Sequence, residues 1–180
     1  IRTGGFDSDL ARIADSDWIV EAVIEQASAK RALLDRVDVL RRPGSIVSSN
    51  TSGLSIAGLA EGRSLEFRRH WLGTHFFNPP RYLSLLEVIP TGDTDPAVTA
   101  AVSGFAELRL AENIVMAKDT PGFIANHVAM HGLVRIFEAL AGGQYTVEEI
   151  DAITGAAIGR PKSATFQTVD IAGLDILVHV

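Results

Sequence analysis

Cysteine is absent from the 180-residue sequence. The absence excludes disulfide bonds, thiolate metal sites and a cysteine nucleophile. It is compatible with a reducing compartment, and we expect a cytoplasmic protein.

Basic residues are in the minority, because 16 lysines and arginines stand against 22 acidic residues and leave a net charge of −6. A surface with this balance offers no basic patch to the phosphate backbone of nucleic acid. We therefore expect no nucleic-acid partner.

Long apolar runs are also missing, so no segment is expected to span a membrane. Residues 1–9 lack the apolar core of a signal peptide. The chain begins without a methionine and ends in the apolar stretch 171–180 without a helix cap. We expect it to be a piece of a longer protein.

The first two thirds of the chain alternate short apolar runs with one-sided helical patterns. The run 17–25 precedes a helical pattern over 26–42, and a buried strand is predicted over 45–50. This strand, helix, strand order is typical of a parallel α/β sheet. The further predicted elements are a helix and a polar segment over 55–69, strands over 71–77 and 83–90, a helix over 96–110 and a strand over 113–118.

The pattern changes after Lys118, where helical spacing replaces strand alternation. One long helix is predicted from Pro121 to about Leu140, and another over 146–154. We therefore predict an α/β domain over residues 1–118 and a truncated, all-helical domain over residues 119–180.

The stretch GTHFFNPP contains a histidine, His75, that is a candidate for proton transfer. His75 lies twelve residues before Glu87, and Pro79 and Pro80 force a turn between their two strands. An imidazole transfers protons near neutral pH, and a carboxylate on its other nitrogen fixes the tautomer. On spacing alone, a packed core histidine with an edge-strand glutamate remains an alternative.

The stretch SSNTSG, residues 48–53, follows a predicted parallel strand. Open α/β sheets bind ligands at the carboxyl ends of their strands. Ser52 or Asn50 could therefore donate a hydrogen bond to a substrate oxygen or a ribose. Turn and capping chemistry is the alternative for these residue types.

Asn126 lies on a predicted helical face with Met130, Leu133 and Phe137. An amide in an apolar stripe must find partners, because leaving it buried and unpaired costs about 1–3 kcal/mol. Asn126 is either a structural bridge or a side chain that reaches into a cleft between the domains.

Two further patterns do not indicate a binding site. His127 and His131 have the spacing of a helical zinc pair, but the glutamate of a zinc hydrolase is not beside them, and we expect no metal. The glycine pairs at 4–5 and 142–143 do not form G-x-G-x-x-G after a strand, so no pyrophosphate-binding loop is visible.

Five ordered motifs together resemble the 3-hydroxyacyl-CoA dehydrogenase family. They are DWIVEAVIE, SSNTSG, GTHFFNPP, LLEVIP and KDTPGFIANH. The resemblance implies a Rossmann-like NAD-binding domain that lacks its N-terminal part, followed by the start of a helical domain that usually dimerises. The stretch 159–175 is similar to bacterial multidomain members that also carry an enoyl-CoA hydratase-like region.

The resemblance implies a reaction, the NAD-dependent oxidation of (S)-3-hydroxyacyl-CoA to 3-oxoacyl-CoA in fatty-acid β-oxidation. His75 would take the proton of the 3-hydroxyl group, and Glu87 would orient and charge-balance the imidazole. Ser52 and Asn126 would hydrogen-bond the reacting oxygen. In its full-length form the protein is expected to be a homodimer that uses an acyl-CoA substrate.

On the cofactor side, the resemblance implies that Glu25, Lys30, Ser52 and Asn78 lie along the nicotinamide ribose. The glycine-rich loop and the acidic residue for the adenosine ribose would precede Ile1, so the chain holds the nicotinamide half of the NAD site.

Three alternatives remain at this stage. The first is a non-catalytic relative of the crystallin type, against which the presence of the four residues His75, Glu87, Ser52 and Asn126 argues. The second is a dehydrogenase specific for 3-hydroxybutyryl-CoA. The third is a related dehydrogenase with a lysine base, which the histidine of GTHFFNPP disfavours.

Overall fold

The computed structural model describes residues 1–173, and the chain forms two compact units, Ile1–Phe123 and Ile124–Val180. Residues 174–180, the end of the predicted helical domain, lie outside the described residues. Over residues 1–173, no helix combines the length and apolar character needed to cross a membrane.

The first unit contains a five-stranded sheet in the spatial order β1-β2-β3-β4-β5. The strands are β1 Trp18–Glu21, β2 Ile46–Ser49, β3 Trp71–Phe76, β4 Leu85–Pro90 and β5 Asn113–Met116. β1, β2 and β3 are parallel, β4 runs antiparallel to β3, and β5 is parallel to β4. The sheet is therefore mixed, and the fully parallel arrangement describes only its first three strands.

Helices cover both faces of this sheet. They are α1 Ala27–Leu40, α2 Ile56–Leu59, α3 Leu65–Arg69 and α4 Pro96–Phe105, which continues as a π-helical turn over Ala106–Leu110. α1, α2 and α3 contribute to one buried apolar cluster and α4 to another, and strand residues contribute to both. This three-layer arrangement confirms the predicted α/β class of the first part of the chain.

The prolines act as the sequence predicts. Residues 77–84 connect β3 to β4, and the Asn78–Pro79 peptide bond is cis. The reversal pairs the two strands so that His75 lies directly opposite Glu87.

The second unit is helical, as predicted, with α5 Ala125–Ala141, α6 Val147–Thr154 and α7 Phe166–Ala172. Thr146 and Glu149 form a capping box that begins α6. Asp151 on α6 accepts hydrogen bonds from the amides of Thr165 and Phe166 and so fixes the start of α7.

The start of α5 differs from the prediction. The sequence places it at Pro121, but Gly122 and Phe123 both have left-handed backbone angles, with φ of 69° and 45°. Two such residues cannot continue a right-handed helix, so α5 begins at Ala125.

Candidate active site

His75 and Glu87 form a buried pair across the adjacent strands β3 and β4. The imidazole Nδ1 lies 2.8 Å from Oε2 of Glu87, and the two side chains are 6% and 1% exposed. A carboxylate only accepts hydrogen bonds, so Nδ1 carries the proton and donates it to Glu87. Nε2 is then the ring nitrogen through which His75 can accept a proton from another molecule.

Two aromatic rings pack against the imidazole of His75. The ring centroids of Phe77 and Phe123 lie 4.5 Å and 5.7 Å from it. Phe123 is buried and adopts its left-handed φ of 45°, an uncommon conformation for a bulky residue. The turn before α5 therefore directs an aromatic side chain onto the histidine.

Asn50 connects the ends of two parallel strands. Its Oδ1 accepts a hydrogen bond of 2.9 Å from the backbone amide of Phe76. The residue thus holds the end of β3 immediately after His75, a role different from the substrate or ribose contact considered from the sequence.

Ser52 lies in the loop after β2. The carboxylate of Glu25 accepts hydrogen bonds from this loop. Oε1 of Glu25 accepts hydrogen bonds from the Thr51 hydroxyl, from the Ser52 amide at 2.8 Å and from the Gly53 amide at 3.3 Å. Burial acts to raise the pKa of Glu25, but these hydrogen bonds and the charge of Lys30 outweigh it and lower the pKa below its usual 4.5. Glu25 is therefore ionised at neutral pH.

Lys30 on α1 is buried, with a side chain 1% exposed. Its ammonium group lies 2.9 Å from Glu21 and 3.2 Å from Glu25. Lys30 thus pairs with Glu25 from the buried side of that carboxylate.

Asp119 holds the other end of the Ser52 loop. Its carboxylate accepts hydrogen bonds from the Ser55 hydroxyl at 2.9 Å and from the amides of Ile56 and Ala57 at 2.8 Å each. These contacts cap the first turn of α2.

Two further residues were predicted to belong to the site. Asn78 is exposed in the connection after β3. Asn126 lies in the first turn of α5 in the second unit, and it is partly buried. The structure therefore brings His75 to Glu87, and Glu25 to Lys30 and the Ser52 loop, while the roles assigned to Asn78 and Asn126 stay predictions.

Sequence reasoning missed Glu21, Phe123 and Asp119. Glu21 offered a signal, because a glutamate inside the apolar run 17–25 requires a partner. Asp119 and Phe123 offered none of comparable strength, because their partners are 64 residues and 48 residues away in the sequence.

The His75–Glu87 pair is suited to transferring a proton, and the Ser52 loop beyond β2 offers polar groups for hydrogen bonding. A buried imidazole with a carboxylate on one nitrogen can take a proton from an alcohol through the other nitrogen and be stabilised as a cation. Within residues 1–173, no three histidine, aspartate or glutamate side chains are grouped so that they could hold a metal ion.

The sequence and the fold can be compared with known proteins. Residues 1–120 match the family model of the 3-hydroxyacyl-CoA dehydrogenase NAD binding domain, and residues 122–180 match that of the 3-hydroxyacyl-CoA dehydrogenase C-terminal domain. A probable 3-hydroxyacyl-CoA dehydrogenase of Bacillus subtilis is 49% identical over 180 residues, which are 100% of this chain and 23% of that protein.

Two other proteins are similar over most of this chain. A putative fatty acid oxidation complex trifunctional enzyme of Rickettsia felis is 33% identical over 98% of this chain and 25% of its own length. The crystal structure of M. tuberculosis FadB2 superimposes with a TM-score of 0.85 at 30% identity, covering 93% of this chain and 58% of that chain. The chain thus spans about a quarter of the length of the Bacillus subtilis and Rickettsia felis relatives. Because family models match both of its parts, the chain belongs to the 3-hydroxyacyl-CoA dehydrogenase family.

Proposed function

We propose that the full-length protein containing this chain oxidises (S)-3-hydroxyacyl-CoA to 3-oxoacyl-CoA with NAD, as a step of fatty-acid β-oxidation. The observation that carries this proposal is the buried His75–Glu87 pair, in a unit that matches an NAD binding domain. Oxidation of an alcohol to a ketone requires a base for the hydroxyl proton, and this pair provides one.

In the proposed reaction, Nε2 of His75 accepts the proton of the 3-hydroxyl group while the C3–O single bond becomes a double bond. The hydrogen on C3 leaves with its electron pair, and the cofactor supplies the acceptor for this hydride. Glu87 is a positioning residue, because it fixes the tautomer of His75 and stabilises the imidazolium that forms. Ser52 is proposed to donate a hydrogen bond to the reacting oxygen, and Asn126 is assigned the same role.

The residues present fit the nicotinamide-ribose end of NAD. Glu25 is ionised and its side chain is 41% exposed, so its carboxylate can accept a hydrogen bond from a ribose hydroxyl. The exposed amide of Asn78 can supply both a donor and an acceptor. The 180 residues contain no G-x-G-x-x-G motif, so the pyrophosphate end of NAD requires residues from outside this chain.

We also propose the partners of the full-length protein. It takes an acyl-CoA substrate, forms a homodimer and carries a fused enoyl-CoA hydratase-like domain. The presence of a fused domain fits the name of the Rickettsia relative, a putative trifunctional enzyme. The absence of cysteine fits a reducing compartment, and we propose the cytoplasm.

The direct test uses the full-length protein, acetoacetyl-CoA and NADH. We expect NADH to be consumed and 3-hydroxybutyryl-CoA to form, since the reverse reaction uses the same residues. If the protein bound NADH but reduced no 3-oxoacyl-CoA of any chain length, the proposed activity would be wrong and a non-catalytic role would be favoured.

A further inference from the structure

The segment after β5 is folded so that its last residue, Phe123, reaches His75. Pro121 and Gly122 form the centre of a turn, which the amide of Phe123 closes by donating a hydrogen bond of 2.9 Å to the carbonyl of Thr120. Proline fixes the backbone angle of the first central residue, and glycine readily takes the positive φ of 69° at the second. The sequence TPGF therefore accounts for the turn that places Phe123.

The backbone conformation of Phe123 itself is not explained by the turn. A φ of 45° is unfavourable for a residue with a bulky side chain, and it persists only where the surrounding structure compensates for it. Burial compensates here, because the side chain is 4% exposed and belongs to the apolar cluster to which α1, α2 and α3 contribute. Such unfavourable conformations collect at functional sites, and the contact of this ring with His75 supplies a functional reason.

A second ring, that of Phe77, contacts the same imidazole from the residue after β3. The centroids of Phe77 and Phe123 lie 4.5 Å and 5.7 Å from that of His75, with interplanar angles of 58° and 57°. Both rings are inclined to the imidazole and do not stack flat on it. Both distances are within the range of about 6 Å over which an aromatic ring attracts a cation.

The two aromatic contacts matter most when the imidazole is charged. The imidazolium that forms in the proposed reaction is buried, with Glu87 on β4 as its ion-pair partner. The electron-rich face of an aromatic ring attracts this cation, whereas an aliphatic side chain of similar size offers only apolar packing. The attraction grows as the proton arrives on His75, and an interaction that is stronger in the transition state than in the ground state raises the rate.

Resting on the proposed function, we infer that Phe77 and Phe123 are positioning residues for His75. Their rings hold the imidazole with Nδ1 directed at Glu87, and they stabilise the imidazolium that forms when Nε2 takes the proton of the substrate. The reaction therefore requires the aromatic character of both side chains in addition to their apolar volume. Neither ring has to touch the substrate or the cofactor for this role.

Substitutions that keep or remove one ring test this inference in the full-length protein. Phe77→Leu is expected to lower the turnover of acetoacetyl-CoA and NADH by about three- to tenfold, the effect of losing one cation–π contact, with both KM values within about twofold of wild type. Phe77→Tyr keeps the ring and should retain turnover within about twofold. A loss in Phe77→Tyr as large as that in Phe77→Leu, or normal turnover in Phe77→Leu, would overturn the inference.

A double-mutant cycle tests whether Phe123 acts through the imidazole. Phe123→Leu should lower turnover by about three- to tenfold in the wild-type background and cause no further loss in His75→Gln. An equal loss in both backgrounds would indicate general packing and contradict the positioning role. Phe105→Leu, which removes a ring 5.9 Å from that of Trp18, is the matched control and should leave turnover unchanged. If Phe123→Leu does not fold, Phe77→Leu replaces it in the cycle, because that position is only partly buried.

Nuclear magnetic resonance of histidine-labelled protein provides a readout that does not depend on activity. Aromatic rings shift the resonances of nearby protons, so the imidazole signal of His75, identified by its loss in His75→Gln, should move in Phe77→Leu and in Phe123→Leu and stay in place in Phe105→Leu. An unmoved signal in the first two variants would overturn the inference. A wild-type protein that binds NADH but reduces no 3-oxoacyl-CoA would refute the proposed activity, while this signal would still decide whether the rings position His75.

Discussion

At the scale of single residues, the candidate site depends on how one imidazole is held. Nδ1 of His75 donates to Glu87, and Phe77 and Phe123 pack on the ring. These contacts fix the ring on three sides and determine which nitrogen can take a proton. The pattern GTHFFNPP supplied the histidine, but only the strand register showed that Glu87 lies opposite it.

We predict that Glu87→Gln lowers the turnover number of the full-length enzyme by tenfold or more, about 1.4 kcal/mol or more of barrier. The amide can still accept from Nδ1, but it carries no charge to stabilise the imidazolium. Glu138→Gln is the control, because Glu138 is an exposed residue paired with Arg135 on α5. Steady-state kinetics with acetoacetyl-CoA and NADH measure the effect, and unchanged turnover in Glu87→Gln would contradict the role of Glu87.

Glu25 should make the stability of the protein depend on pH. Its folded-state pKa lies below the usual 4.5, because hydrogen bonds from Thr51 and Ser52 and the charge of Lys30 outweigh the opposing effect of burial. A carboxyl group with a lowered folded-state pKa contributes stability above its unfolded pKa, and this contribution is lost as the pH falls through the folded value.

We therefore predict that Glu25→Gln reduces the loss of thermal stability between about pH 5 and about pH 3. Melting temperatures of the two proteins across this range measure the difference. Glu148→Gln, at an exposed position in the first turn of α6, is the control. Parallel curves for wild type and Glu25→Gln would show that the ionised carboxylate of Glu25 contributes nothing to the folded state.

At the scale of elements, two carboxylates from different parts of the chain hold the segment between β2 and α2. Glu25 binds its first residues and Asp119 caps its last, so the segment is fixed at both ends. Asp119 belongs to the segment that follows β5. The loop that carries Ser52 is therefore supported by both the start and the end of the sheet.

Asp119→Ala should remove the hydrogen bonds that fix the start of α2. Three hydrogen bonds disappear, and the loss of a helix cap costs about 1 kcal/mol. We expect faster hydrogen exchange at the amides of Ile56 and Ala57. Asp93→Ala, which removes a surface ion pair with Arg68, is the control and should leave these amides unchanged. If Asp119→Ala left them unchanged as well, the capping role would be wrong.

The sequence predicts the elements well where a local signal exists. α4 begins at Pro96, where the sequence predicts it, with Asp95 as its cap, and the proline pair marks the predicted turn between β3 and β4. The start of α5 was misplaced, because a proline and a glycine do not reveal that Phe123 also takes a left-handed angle. That conformation depends on tertiary packing around Phe123, which no local pattern encodes.

At the scale of the whole molecule, the sequence predicts those site residues that lie within one short motif. Candidate residues such as His75 and Ser52 stand in recognisable stretches, whereas the Glu21–Lys30–Glu25 arrangement requires β1, α1 and the loop after β2 to meet. The chain spans about a quarter of the length of two of its relatives, so the activity of the whole protein is a proposal for the full-length form.

The measurement that tests the central claim most directly is the turnover of acetoacetyl-CoA and NADH by full-length His75→Gln, with NADH affinity measured in parallel. We predict a fall in turnover of about 10²–10⁴-fold, the contribution of general acid–base catalysis, with NADH affinity within about twofold of wild type. His131→Gln, at an exposed position on α5, is the control and should retain full turnover. Near-normal turnover by His75→Gln would contradict the account.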